Sequence, residues 1–136
     1  MDTIRKADYF STEVPNKVGE GARLLGALRD AGINLTAFTA FPSGRRAQID
    51  FIPEDSAAFK SAARKIGIEV SPRKTVFIVQ GDDRPGAIAK ICEKLAEAGI
   101  NMIAMDAASG GDGRYAGMFW VAPADVRKAA KVLGAQ

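Results

Sequence analysis

The chain contains no histidine, and its 136 residues include a single cysteine, Cys92. Without histidine it lacks the commonest general base and the commonest zinc ligand, so Ser-His-Asp and Cys-His catalytic arrangements are excluded within this chain. One cysteine cannot form an intrachain disulfide, which fits a reducing compartment such as the cytosol. These absences predict a protein that is not an enzyme and that uses neither a cofactor nor a metal.

Long apolar runs are also missing from the sequence. No stretch approaches the roughly 18 residues of a membrane span, and the N-terminus has no signal-peptide core. The formal net charge is +3, and the 19 Lys and Arg residues are scattered along the chain. Such a pattern does not by itself indicate nucleic-acid binding. We therefore expect a cytoplasmic protein that does not bind membranes.

What the chain does contain is an internal repeat. An offset of 67 residues aligns Gly19 with Gly86 and Leu28 with Leu95. The same offset superimposes two identical Ala-Gly-Ile-Asn blocks, at 31–34 and at 98–101. Since repeats of this kind indicate a duplicated structural unit, the sequence predicts two modules, at residues 1–70 and 74–136.

Both copies predict the same order of elements. In the second copy a strand precedes a helix, a two-stranded hairpin and a second helix, at 75–80, 86–98, 102–108 with 115–121, and 125–133. The corresponding elements of the first copy are predicted at 6–14, 19–31, 35–41 with 47–52, and 55–66. Residues 68–70 are a candidate for the last strand of the first copy. The second copy ends at Gln136, so its last strand is missing or is supplied otherwise.

This order is that of a split βαβ, ferredoxin-like arrangement. We predict an α+β protein with two ferredoxin-like βαββαβ modules in tandem, sharing an extended antiparallel sheet with helices on one face. In the second copy, Ile88, Ile91, Cys92 and Leu95 form one apolar helical stripe, so Cys92 is predicted to be buried. Glycines 32 and 99 are predicted to end their helices in a left-handed conformation.

The turn between the first strand and the first helix of the second copy, Gly81-Asp82-Asp83-Arg84-Pro85-Gly86, is the clearest candidate for chemistry. Pro85 suits the first turn of a helix, Asp83 is placed to cap its free N–H groups, and Gly86 allows another group to approach the backbone. Free N–H groups at a helix start also attract a carboxylate. These residues alone leave a helix cap and an anion site both open.

The repeated Gly-Ile-Asn sequence supplies a second feature, Asn34 and Asn101. An asparagine after a helix-ending glycine can satisfy the backbone of the turn. It can equally present a donor and an acceptor to a zwitterion.

The Asp-Asp-Arg-Pro-Gly turn, the apolar helix and the following Ala-Gly-Ile-Asn-Met resemble the ACT-domain family. The resemblance runs from Ile4 to Leu133 as two copies, and it is stronger in the second because Val18 replaces the proline in the first. It implies βαββαβ regulatory modules that pair with one another and bind amino acids or other small ligands at the interface between modules. The ligand-facing positions that it implies are Asn16, Lys17, Val18, Gly19, Asn34 and Leu35 in the first copy, and Asp83, Arg84, Pro85, Gly86, Asn101 and Met102 in the second.

The sequence therefore predicts a non-catalytic sensor that binds an amino acid between modules and acts in allosteric regulation, as a homodimer. One alternative is a regulatory subunit that acts on a metabolic enzyme by protein–protein contact. Another is an RNA-binding module of the same fold, which reads bases with aromatic side chains on its third strand. The candidates for that role are Tyr115 and Phe119.

Overall fold

The computed structural model describes residues 2–136, which form six strands and four α-helices. Their bounds are β1 (Thr3–Pro15), α1 (Glu20–Asp30), β2 (Leu35–Ser43), β3 (Arg46–Pro53), α2 (Ser56–Ile66), β4 (Lys74–Asp82), α3 (Ala87–Glu97), β5 (Met102–Gly111), β6 (Arg114–Val121) and α4 (Val126–Leu133), with a short 3-10 helix, Pro123–Asp125, before α4. The order strand, helix, strand, strand, helix therefore occurs twice along the chain, at the positions that the sequence predicts.

Strands β2, β3 and β1 are neighbours in that order, and β4, β6 and β5 are neighbours in that order. Strand β3 pairs antiparallel with both β1 and β2. Strand β6 pairs in the same way with β4 and β5. The predicted α+β class, with antiparallel strands, is confirmed.

The chain divides into two compact units. The first unit is Asp8–Lys74, and the second combines Thr75–Gln136 with the N-terminal residues up to Ala7. Strand β1 thus contributes residues to both units, and the division at 1–70 and 74–136 stays a prediction.

The first unit is built around three aromatic side chains. Phe10 of β1 stacks on Phe59 of α2 with ring centroids 5.3 Å apart, and Phe51 of β3 lies 5.3 Å from the same ring. Leu24 and Leu28 of α1 complete this buried cluster. Both helices of the unit therefore bury their apolar stripes against β1 and β3, and this burial is the main contribution to the stability of the unit.

Residues 68–71 lie beside β1 in space but do not form a regular strand. The Ser71 N–H donates to the Ser11 carbonyl at 2.8 Å. The Thr12 hydroxyl donates to the Glu69 carbonyl at 2.7 Å. The segment predicted as the last strand of the first copy is therefore extended beside β1 and is held by few backbone hydrogen bonds.

The second unit has an equivalent core. Phe77 of β4 stacks on Phe119 of β6 with ring centroids 5.1 Å apart, and Ile91 of α3 and Ala129 of α4 join the same cluster. Both helices of this unit thus pack on one face of β4 and β6. The four residues 76–79 are all buried, as the continuous apolar run predicts.

The N-terminal end of β1 is held by the last residue of the chain. Gln136 donates its backbone N–H to the Ile4 carbonyl at 3.0 Å and accepts the Lys6 N–H at 2.9 Å. Ile4 also packs against the core of the second unit. The N-terminal segment therefore supplies the last strand of the second unit.

The prediction for Cys92 is wrong, because its side chain is exposed. Helix α3 buries Ala87, Ile91 and Leu95, which are spaced four residues apart. This spacing centres the buried stripe on Ile91 and leaves Cys92 beyond its edge. The helix-ending glycines are predicted correctly, with φ angles of 74° at Gly32 and 72° at Gly99.

Candidate functional site

The turn before α3 does not cap the helix as the sequence predicts. The helix begins at Ala87, so Pro85 lies before it and not in its first turn. The N-cap residue is Gly86, which has no side chain, and no side chain caps the helix. Asp83 stands three residues before the cap position. Its carboxylate accepts a hydrogen bond from the Ser109 hydroxyl at 2.8 Å instead.

Gly86 has a backbone conformation that favours glycine. Its φ angle is 82°, in the left-handed region that side-chain-bearing residues rarely adopt. No other group lies within 4 Å of the position that a Cβ atom would take. The space beside Gly86 is open, so the approach of a ligand to its backbone stays a prediction.

The uncapped start of α3 leaves amide groups available to a ligand. The Ala87 N–H donates to the Arg84 carbonyl at 3.3 Å. The next two amides, of Ile88 and Ala89, have no acceptor within the helix because they precede its first complete turn. The first turn of α3 also has no acidic residue, so the partial positive charge of the helix start is not offset there.

An open cleft of about 430 Å³ adjoins this helix start, within the size range of small-molecule sites. Asp83, Arg84 and Gly86 line it on one side, and residues 107–109 of β5 line it on the other. The polar side chains that line it are those of Asp83, Arg84, Ser109 and Tyr115. Apolar side chains, including Ile88, complete the walls.

Arg84 already has an anionic partner in this structure. Its two terminal nitrogens each donate to one carboxylate oxygen of Asp2 at 3.1 Å. The hydrogen bonds from Arg84 hold the pKa of the Asp2 carboxyl below its ordinary value. The same hydrogen bonds raise the pKa of Arg84. Arg84 also donates to the Asp82 carbonyl at 2.8 Å, which fixes its guanidinium at the edge of the cleft.

The equivalent turn in the first unit has the same backbone form but a different charge. Gly19 is the N-cap of α1 with φ 94° and no side-chain cap. The first turn of α1 carries Glu20, whose carboxylate pairs with Arg23 at 2.7 Å. A carboxylate at this place offsets the positive end of the helix. The three residues before Gly19 are exposed, and the side chain of Val18 is fully so.

The predicted ligand-facing positions that follow the first helix of each copy do not lie beside the helix start of the same unit. Asn101 is exposed just before β5, and Met102 packs against the core. The cleft is lined by the other end of β5, about 20 Å away at 3.3 Å per residue. In the first unit, Asn34 donates to the Glu54 carboxylate at 2.9 Å, and Leu35 packs against the core. A role for these four residues in binding stays a prediction.

Sequence reasoning missed Ser109 and the residues around it as part of the site. Ser109 is 26 residues from Asp83 along the chain, so no local pattern connects the two. The predicted hairpin pairing limits where β5 can lie, but not which of its residues faces α3.

The aromatic side chains proposed for RNA stacking are buried. Tyr115 is 6% exposed, and Phe119 is fully buried. Since base recognition by this fold needs exposed rings on the sheet, these side chains cannot perform it in this conformation.

Residues 2–136, the part of the chain that the structure describes, lack two features. No helix in this range combines the length and apolar character needed to cross a membrane. No group of three or more Cys, Asp or Glu residues in this range is arranged to hold a metal ion.

The fold comprises two ferredoxin-like units, and an open cleft adjoins the start of α3 in the second unit. The sequence model of the ACT domain family matches residues 75–136. Over these residues the chain is similar to ACT domains. A search of curated protein sequences gives no significant match.

Solved structures share the fold over nearly the whole chain. Protein BT0572 from Bacteroides thetaiotaomicron matches with a TM-score of 0.83 and 20% identity, over 96% of this chain and 88% of that one. The ligand-free regulatory subunit of aspartate kinase from Thermus thermophilus matches with a TM-score of 0.62 and 16% identity, over 98% and 94%. The regulatory subunit of aspartate kinase from Thermus flavus gives 0.59 and 21%, over 98% and 94%. At these identities the likeness concerns the fold.

Proposed function

We propose that this protein is a non-catalytic regulatory sensor that binds a free amino acid at the start of α3 in the second unit. The observation that carries the proposal is the uncapped start of α3 beside a cleft. Both a cationic side chain, Arg84, and an anionic one, Asp83, line this cleft. The amides of Ile88 and Ala89 supply donors for the ligand carboxylate. Asp83 supplies an acceptor for the ligand ammonium, since a carboxylate that already accepts from Ser109 retains free lone pairs.

The charge difference between the two helix starts supports binding in the second unit. Glu20 occupies the first turn of α1, whereas α3 has no acidic residue in its first turn. A ligand carboxylate approaching α1 is repelled by Glu20, and one approaching α3 is not. We propose that the positions 16–19 of the first unit form a weaker site or one that stays empty.

We further propose that Asn101 or Asn34 contacts the ligand from an adjacent module. Asn101 is exposed and too far along β5 to reach the cleft of its own unit, so a second module has to present it. The resemblance to ACT domains implies such pairing of modules, here in a homodimer. The proposed site of action is the cytoplasm, as the single cysteine indicates.

A thermal-shift screen with the twenty common amino acids tests the proposal. The amino acid that binds should raise the free energy of unfolding by about 2.7 kcal/mol at 100 times its dissociation constant, because it binds only the folded state. The matched control ligand is the amide of the same amino acid, which keeps the ammonium but lacks the carboxylate and should give no shift.

A flat response to all twenty amino acids at millimolar concentration would contradict the proposal. It would favour the alternative, a regulatory subunit that acts by protein contact, to which the fold likeness with aspartate kinase regulatory subunits lends support.

Alanine substitutions at the two asparagines test the adjacent-module contact. We expect Asn101→Ala to weaken binding of the amino acid found in the screen by roughly tenfold, the effect of losing one or two neutral hydrogen bonds. Asn34→Ala is the parallel variant, and its loss of the Glu54 contact should cost little stability because both side chains are exposed. Titration calorimetry measures both affinities. Unchanged affinity in both variants would place the second half of the site elsewhere.

A further inference from the structure

The carboxylate of Asp2 is held more closely than an ordinary surface ion pair requires. The Asp2 and Arg84 side chains meet as two parallel hydrogen bonds, each of 3.1 Å. This forked geometry is the one by which arginine recognises carboxylates specifically. The Asp2 side chain is 15% exposed, so the pair is partly shielded from solvent.

The backbone at Gly81 leaves the space that this carboxylate fills. A methyl group placed on Gly81 would collide with the Asp2 carboxylate oxygen Oδ1 and lie 3.1 Å from the Tyr115 ring. Gly81 is itself buried. A residue with a side chain at position 81 would therefore exclude the carboxylate, so the glycine serves as the floor of a small pocket.

Tyr115 forms the remaining wall. Its side chain is 6% exposed, and its hydroxyl is buried without a hydrogen bond of good geometry to any residue in the range 2–136. Burial raises the pKa of Tyr115, and the nearby Asp2 carboxylate raises it further. The hydroxyl therefore stays protonated at neutral pH and remains a donor for an anion in the pocket.

The N-terminal segment does not depend on Asp2 for its position. Gln136 makes two backbone hydrogen bonds with Ile4 and Lys6. Ile4 packs against the core of the second unit. The segment is thus anchored two residues beyond Asp2, and the carboxylate can leave its pocket without releasing the strand.

We propose that Gly81, Arg84 and Tyr115 form a carboxylate-binding pocket that the Asp2 side chain of the same chain occupies, and that other carboxylates compete with Asp2 for it. Arg84 also lines the cleft beside α3. If the proposed function holds, on which this consequence rests, a ligand carboxylate pairs with the Arg84 guanidinium only by displacing Asp2. Asp2 then limits the affinity of the amino-acid site.

Chemical rescue of Asp2→Ala by acetate tests the pocket without any amino acid. The variant should melt a few degrees lower than the wild-type chain, because Arg84 loses its partner. Acetate at about 0.1 M, compared with chloride at equal ionic strength to hold screening constant, should restore most of that loss. The wild-type chain should not respond, because its pocket is filled.

The double variant Asp2→Ala with Arg84→Ala is the matched control and should show no rescue. The isosteric Asp2→Asn variant keeps the shape of the side chain and should show a partial response if Asp2→Ala does not fold. A folded Asp2→Ala variant that responds to acetate no more than the wild-type chain does would overturn the pocket. That result is independent of the amino-acid screen, so failure of the pocket and failure of the proposed function are distinguishable.

Discussion

Phe119→Ala is expected to lower the free energy of unfolding of the second unit by about 3–5 kcal/mol. Phe119 is fully buried, and its ring stacks on Phe77 at an interplanar angle of 11°. Removing it leaves a cavity in a small core that cannot collapse easily, and it also removes the aromatic contact. Since Trp120 is the single tryptophan and lies in the second unit, its fluorescence during urea unfolding reports on this unit.

Ile103→Ala is the control for this measurement. Ile103 lies in β5 of the same unit and is 60% exposed, so its truncation should cost less than about 1 kcal/mol. A loss at Phe119 no greater than the loss at Ile103 would contradict the core as described.

Ala89→Pro is expected to weaken binding of the amino acid by about 10- to 100-fold, the effect of removing one charge-assisted hydrogen bond. Proline removes the amide of the third helical residue, which has no acceptor within the helix and is a proposed donor to the ligand carboxylate. Ala89 is exposed, so the ring has room. Proline is tolerated in the first turn of a helix, and titration calorimetry measures the affinity.

The repeat supplies a matched control, Ala22→Pro, at the equivalent position of α1. The two helix starts share the same hydrogen bond, from Arg23 to Gly19 in one and from Lys90 to Gly86 in the other. The two prolines should therefore change stability to a similar extent, while only Ala89→Pro weakens binding. If Ala22→Pro weakens binding instead, the site belongs to the first unit. If neither does, the ligand carboxylate does not bind at a helix start.

The element order could be predicted because each element is encoded by residues close together in the chain. The apolar run at 76–79 predicts a buried strand, and all four residues are buried. Gly32 and Gly99 predict helix ends, and both adopt the left-handed backbone conformation. These features depend on side-chain periodicity and on the permissive backbone of glycine, which act within a few residues.

The errors occur where a neighbouring element decides the outcome. Cys92 fits an apolar stripe by spacing, but the rotation of α3 against β4 and β6 places Ile91 at the centre and turns Cys92 outward. Asp83 fits the pattern of a helix cap, but the left-handed Gly86 takes the cap position and Asp83 pairs with Ser109. The rotation of a helix and a contact between distant residues both depend on packing between segments, which periodicity does not encode.

The sequence by itself determined the repeat, the order of strands and helices in each copy and the turn that borders the cleft. Only the tertiary structure decided that the N-terminal segment completes the second unit and that Asp2 meets Arg84 across 82 residues of chain. The physical reason is that local backbone preferences are fixed by neighbouring residues, whereas a partner for Arg84 is fixed by which strand packs beside β4. Arg84, which lines the open cleft of the second unit, is consequently paired with a carboxylate from the other end of the chain.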